Sequence, residues 1–121
     1  MPGPIPILRL GDNLLAGIQG ELRDNVADAF QQDVLERIEA TGARGLLIDI
    51  SALDFVDTYI AKVLVDTARM ARLMGTETVL TGMRPEVAAT LVHMGYSFEG
   101  VRTSLDAESG LELLKRLANG A

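Results

Sequence analysis

The residues best able to do chemistry fall in one stretch, Gly45 to Leu64, which reads GLLIDISALDFVDTYIAKVL. Two carboxylates, Asp54 and Asp57, surround Phe55 and Val56, and a hydroxyl follows immediately in Thr58. An aspartate at position 57 suits a helix N-cap, because its carboxylate can accept from the free amides of the first turn. Thr58 then takes the first helical position, with its hydroxyl facing solvent. A hydroxyl there lies beside unsatisfied amides and the positive end of the helix dipole, where an added phosphate is locally tolerated. Beside Asp54 and Asp57 such a phosphate would make the patch strongly anionic. In the plainer reading Asp57 is an ordinary cap and Thr58 an ordinary first-turn residue. Spacing alone favours the plainer reading, since capping residues occur at every helix start.

The elements that hold this turn are legible on both sides of it. Leu46-Leu47-Ile48 is an unbroken apolar run, as expected of a parallel strand buried on two faces. Asp49 interrupts the run and Ile50 resumes it. After the turn, Ile60, Val63, Leu64, Thr67, Ala71 and Met74 recur at intervals of three and four, which predicts a helix ending at Gly75.

The rest of the chain supplies further strand and helix pairs. Pro2, Pro4 and Pro6 make the first residues extended, at most an edge strand. Ile7 to Leu10 and Leu14 to Ile18 read as a hairpin around Gly11-Asp12-Asn13. Asp24 or Asn25 is expected to cap a helix running to about Thr41, with Val26, Phe30, Val34 and Ile38 as its stripe and Gly42 as its stop. Glu77 to Thr81 reads as a strand. Pro85 opens a third helix with Val87, Ala88, Leu91 and Val92 inward. Tyr96 to Arg102 is expected to be a short strand. Thr103 to Asp106 has the spacing of a capping box, ahead of a last helix with Leu111, Leu114 and Leu117 as its stripe. The order β-β-α-β-α-β-α-β-α predicts a single α/β domain over 1–121, with a mixed, mostly parallel sheet and four main helices packed on it.

Composition narrows the function. The chain has 121 residues, 48% hydrophobic, enough for one core, and a net charge of −6. An acidic balance argues against nucleic-acid backbone binding and favours basic protein partners. With no cysteine there is no thiolate zinc site or thiol nucleophile. No apolar run reaches membrane-spanning length, so the expectation is a cytoplasmic protein that does not engage a membrane. No glycine-rich phosphate loop accompanies Asp54 and Asp57, so neither a cofactor nor a metal is expected. The lone His93 reads as a helix-end or surface residue, and Met70, Leu73 and Met74 as packing residues, although a methionine-rich helix end can also serve an adaptable interface. Lys62 stands one turn beyond Thr58, in reach of an acid of the turn.

Several segments resemble one family. DFVDTYIAKVL is similar to the phosphoacceptor region of the STAS domains of anti-sigma-factor antagonists. IPILRL, EATGARGLLIDI, IAKVL, ARLMG, VLTGMRPEVAATLVHMG and LDAESGLELLKRL resemble the RsbS type, the small STAS scaffolds of the bacterial stressosome. The resemblance covers almost the whole chain. In that family a serine follows the aspartate of this turn and is phosphorylated by a partner kinase; Thr58 stands there here, as in the stressosome's larger co-antagonists. Many antagonist domains carry a glycine two residues further on, where this chain has Ile60, as the stressosome branch does. The resemblance implies a non-enzymatic module that binds an RsbT-like serine/threonine kinase through Asp54, Asp57, Tyr59 and Lys62 and releases it when Thr58 is phosphorylated. It also implies a high-mass complex with larger RsbR-like co-antagonists, and contacts between copies of the chain. A receiver-like domain phosphorylated on aspartate is the alternative. Asp49 would be its acceptor, although Ile50 follows it and no lysine ends a later strand.

Overall fold

Handedness and chain order set the architecture. The computed structural model describes residues 5–95 and 100–120. Its elements are β1 (Ile7–Leu10), β2 (Asn13–Gly20), α1 (Asp24–Thr41), β3 (Gly45–Leu53), α2 (Thr58–Leu73), β4 (Glu77–Thr81), α3 (Pro85–His93), β5 (Arg102–Ser104) and α4 (Ala107–Gly120). The strands form one sheet in sequential order, β1 antiparallel to β2 and every later neighbour parallel. Parallel crossovers are right-handed, so three successive steps in one direction put α1, α2 and α3 on the same face. The chain leaves the edge strand β5 and returns as α4 across the other face.

The two faces carry separate cores. Leu46, Ile48 and Ile50 of β3 join Phe30, Val34 and Ile38 of α1 and Ile60 and Leu64 of α2 in the larger one. Leu47 points the other way and packs with Val79 and Leu114. This two-sided burial explains the unbroken apolar run in β3, and each fully buried leucine or isoleucine contributes about 1.5–3 kcal/mol relative to exposure. Gly110 lets α4 lie against the sheet. A Cβ there would strike the Leu47 side chain and sit 2.9 Å from the Ser104 hydroxyl. Gly82 turns the chain just after β4: its φ is 79°, and a Cβ would come within 2.6 Å of the Ser51 Cβ.

Some local expectations fail, for identifiable reasons. Neither Asp24 nor Asn25 caps α1. Arg23 is the extended N-cap without a side-chain bond, and Asp24 sits inside the first turn, where a carboxylate still complements the dipole. The Thr103–Asp106 box does not form, because Thr103 is in β5; Asp106 itself caps α4, its Oδ1 accepting from the Ser109 amide at 2.8 Å. Of the strand expected over Tyr96 to Arg102, residues 96–99 lie outside the described residues, as do Pro2 and Pro4; Gly100 and Val101 are not in a strand, and the described edge strand is Arg102–Ser104. Val92 is 77% exposed: α3 buries only the i, i+4 pair Val87 and Leu91, and Val92 is turned about 100° from Leu91. Met70, Leu73 and Met74 do not pack inside. Ala68 and Ala71 face inward in that turn, leaving Leu73 89% exposed.

Candidate functional site

The turn between β3 and α2 lies at the C-terminal ends of the parallel strands, where open α/β sheets characteristically place their sites. β3 runs three residues past Ile50, so the turn proper is short, from Asp54 to Asp57. Its entry is tied to the end of β2, since the Asp54 amide donates to the Gly20 carbonyl at 2.9 Å. Leu53 and Val56 are buried anchors. Between and beyond them Asp54, Phe55 and Asp57 are left exposed.

Asp57 is the N-cap the spacing predicted. Its backbone is extended and its Oδ1 accepts from the Ile60 amide at 2.8 Å. Thr58 is the first helical residue and is exposed. Its hydroxyl is not simply solvated, however: it donates to the Sδ of Met94, at the end of α3, over 3.6 Å. Asp57 and Thr58 thus divide two tasks. The carboxylate satisfies an orphan amide, and the hydroxyl oxygen keeps its lone pairs open.

Tyr59 extends the site onto α1. Its hydroxyl donates to Asp28 Oδ1 at 2.6 Å. That bond raises its pKa above the ordinary value of 10.0, with smaller contributions from desolvation and from the charges of Asp28 and Asp24. The two helices are further fastened where Gln31 donates to the Thr67 hydroxyl at 3.0 Å, which in turn donates to the Val63 carbonyl at 2.6 Å. Lys62 pairs with Asp66, one turn towards the C-terminus, at 2.6 Å. The resulting surface is acidic, from Asp24, Asp28, Asp54 and Asp57, and carries two exposed aromatic rings, Phe55 at 56% and Tyr59 at 41%.

Asp54, Asp57, Thr58, Tyr59 and Lys62 therefore belong to one turn and the helix that follows it. Asp28 and Met94 were not found from sequence, because each reaches the turn from another helix. The only signal for Asp28 is its place four residues after Asp24, on one side of α1. Asp49, the acceptor of the receiver alternative, lies inside β3, and its Oδ1 accepts from the Ser51 amide at 2.9 Å. It does not stand free at a strand end. Among the described residues no group of histidine, cysteine, aspartate or glutamate could hold a metal ion, and no helix is long and apolar enough to cross a membrane.

A sheet of this order, with three helices on one face, a fourth behind, and an exposed hydroxyl on an aspartate-capped second helix, defines a recognisable class. The STAS domain family model matches residues 5–110, and the chain belongs to that family. Within it the likeness is to RsbS- and RsbR-type proteins of the stressosome. RsbS of Moorella thermoacetica, solved as a serine-to-glutamate variant, is 39% identical, with a TM-score of 0.86 over 97% of this chain and 99% of that one. A chain from a solved structure of the stressosome is 38% identical, with a TM-score of 0.78 over 93% and 98%. The RsbT co-antagonist protein RsbRD of Bacillus subtilis is 33% identical over 115 residues, which are 94% of this chain but 39% of that protein. The chain thus spans about two fifths of the length of such curated relatives.

Proposed function

We propose that this chain is a non-enzymatic switch module of a stressosome, which holds an RsbT-like serine/threonine kinase and releases it when Thr58 is phosphorylated. The observation that carries the reading is the exposed Thr58 hydroxyl at the first position of an Asp57-capped helix, beside exposed Phe55 and Tyr59. Exposed aromatic rings supply contact area at little entropic cost. The acidic rim of Asp24, Asp28, Asp54 and Asp57 fits a basic partner. The likeness to RsbS over nearly all of both chains, and to a protein named as an RsbT co-antagonist, supports the kinase as that partner. It equally supports assembly with larger RsbR-like co-antagonists, to which this chain would contribute a STAS domain through contacts like those in the solved stressosome.

Release follows from electrostatics. Phosphorylation brings about −1.5 to −2 charges and three hydrated oxygens onto a surface already lined with carboxylates. Burying that charge against a docked partner costs several kcal/mol unless basic groups await it. Expected results are phosphate mainly at Thr58 by peptide mass spectrometry after incubation with the kinase and ATP, and calorimetric affinity lost in Thr58→Glu but kept in Thr58→Ser and Thr58→Ala. Phosphate mainly at Thr41, Thr67 or Thr90, or undiminished affinity of the enzymatically phosphorylated chain, would overturn the reading.

A further inference from the structure

The Thr58 hydroxyl is bonded to an atom that can only accept. Met94 Sδ lies 3.6 Å away and receives the hydroxyl proton. Met94 closes α3, its own amide bonded to the Thr90 carbonyl, and its side chain packs against the main core. α3 itself is lightly held. It buries only Val87 and Leu91, and Val92 is exposed. The contact therefore ties the start of α2 to the loosest of the helices on that face.

A thioether has lone pairs but no proton, and it is far too weak a base to take one from a hydroxyl. Met94 consequently orients Thr58 without deprotonating it, directing the hydroxyl proton toward the end of α3. In phosphoryl transfer the Thr58 Oγ–P bond forms and the terminal P–O bond of a nucleoside triphosphate breaks. The bond electrons leave with the diphosphate, and the hydroxyl proton passes to a base on the kinase. Afterwards the oxygen has no proton to give, and the phosphate offers acceptors to a sulfur that also only accepts.

We propose that Met94 is a positioning residue for Thr58 and the latch of a second switch element: phosphorylation breaks the Thr58–Met94 bond and loosens the C-terminal end of α3. The proposal rests on Thr58 being the phosphoacceptor. It adds α3 to the surface that changes, beyond the charge placed on α2.

The test is amide hydrogen exchange on the full chain, with phosphothreonine installed at position 58 during translation, so that it does not depend on any kinase. Losing one neutral hydrogen bond should speed exchange of the Thr90 to Met94 amides about two- to tenfold, with α2 unchanged. Met94→Leu keeps the apolar bulk and removes the acceptor, so those amides should exchange fast with and without phosphate. Met94→Gln supplies an N–H that can donate to phosphate and should reverse the response, with slower exchange in the phosphorylated chain. Circular dichroism and the exchange of α1 confirm that both variants fold. Unchanged α3 exchange on phosphorylation of the parent chain, or a Met94→Gln chain that loosens on phosphorylation as the parent does, would overturn the latch. A kinase that leaves Thr58 unmodified would overturn the functional reading alone, since the installed phosphate still decides the latch.

Discussion

Two helices of this molecule begin the same way and differ in everything beside the cap. α2 starts after Asp57, whose Oδ1 accepts from the Ile60 amide at 2.8 Å. α4 starts after Asp106, whose Oδ1 accepts from the Ser109 amide at 2.8 Å. At α4 the bonds from the Ser109 backbone and side chain pull the Asp106 carboxyl below its ordinary range, and the first helical residue is Ala107. At α2 that position is Thr58, its hydroxyl aimed at another helix, with an exposed ring on each side of the Asp57–Thr58 pair in Phe55 and Tyr59. The cap is a folding device used twice. The candidate site is what surrounds one of the two.

The strongest way to break this comparison is to give α4 a hydroxyl. Ala107→Thr places a threonine at the same position after a capping aspartate. The expected result is all-or-none: the kinase modifies Thr58 and leaves the new residue untouched by mass spectrometry. Equal modification of both would show that the cap alone is recognised.

Next in size is the face that α4 covers. Gly110→Ala should cost about 1–3 kcal/mol by overpacking against Leu47, less up to about 1 kcal/mol regained from helix propensity. Chemical denaturation would report this as a lower midpoint at unchanged slope. Kinase binding through the opposite face of the sheet should be unaltered.

The caps themselves should be equal in stability and unequal in function. Asp57→Ala and Asp106→Ala should each cost roughly 1 kcal/mol, or about 4 °C in melting temperature. Only the Asp57 change should slow phosphorylation, measured as initial rate at fixed kinase.

A smaller effect separates α2 by pH. The Tyr59 pKa is raised by its bond to Asp28. A raised pKa favours the protonated phenol in the folded chain. The stability it contributes is therefore fully present below about 10, the unfolded value, and is lost as pH rises through the folded value. Absorbance titration should show Tyr59 ionising late, and Asp28→Ala should move that ionisation back toward 10. The smallest effect concerns phosphate and global stability. Favourable dipole and amides are offset by Asp54 and Asp57, so phosphorylation of Thr58 should shift the melting temperature by no more than about a few degrees.

What could be read from the residues in advance is uneven. Asp57 as cap and Thr58 as first helical residue were legible because both depend on a few consecutive residues and local hydrogen-bond geometry. The stripes of α1 and of the first three turns of α2 were legible because burial on one helix face imposes a 3.6-residue period. The ends of elements were not. Asp24 has capping chemistry, yet Arg23 takes the position, because the helix start is set by where the chain leaves β2. Val92 and Leu73 are apolar in helical register, yet exposed, because which turns of a helix overlie the sheet is a matter of packing.

By itself, then, the sequence determined the order of strands and helices, the two-sided burial of β3 and the placement of a hydroxyl at a capped helix start, since each follows from contacts within a few residues or from a hydrophobic period. The tertiary structure decided that α4 crosses behind Leu47 and Val79 while the other helices lie in front. It also decided that Asp28 from α1 and Met94 from α3 meet the residues Tyr59 and Thr58. Such meetings join side chains more than thirty residues apart, and no local period or propensity encodes them: they exist only once the right-handed crossovers have set the helices side by side.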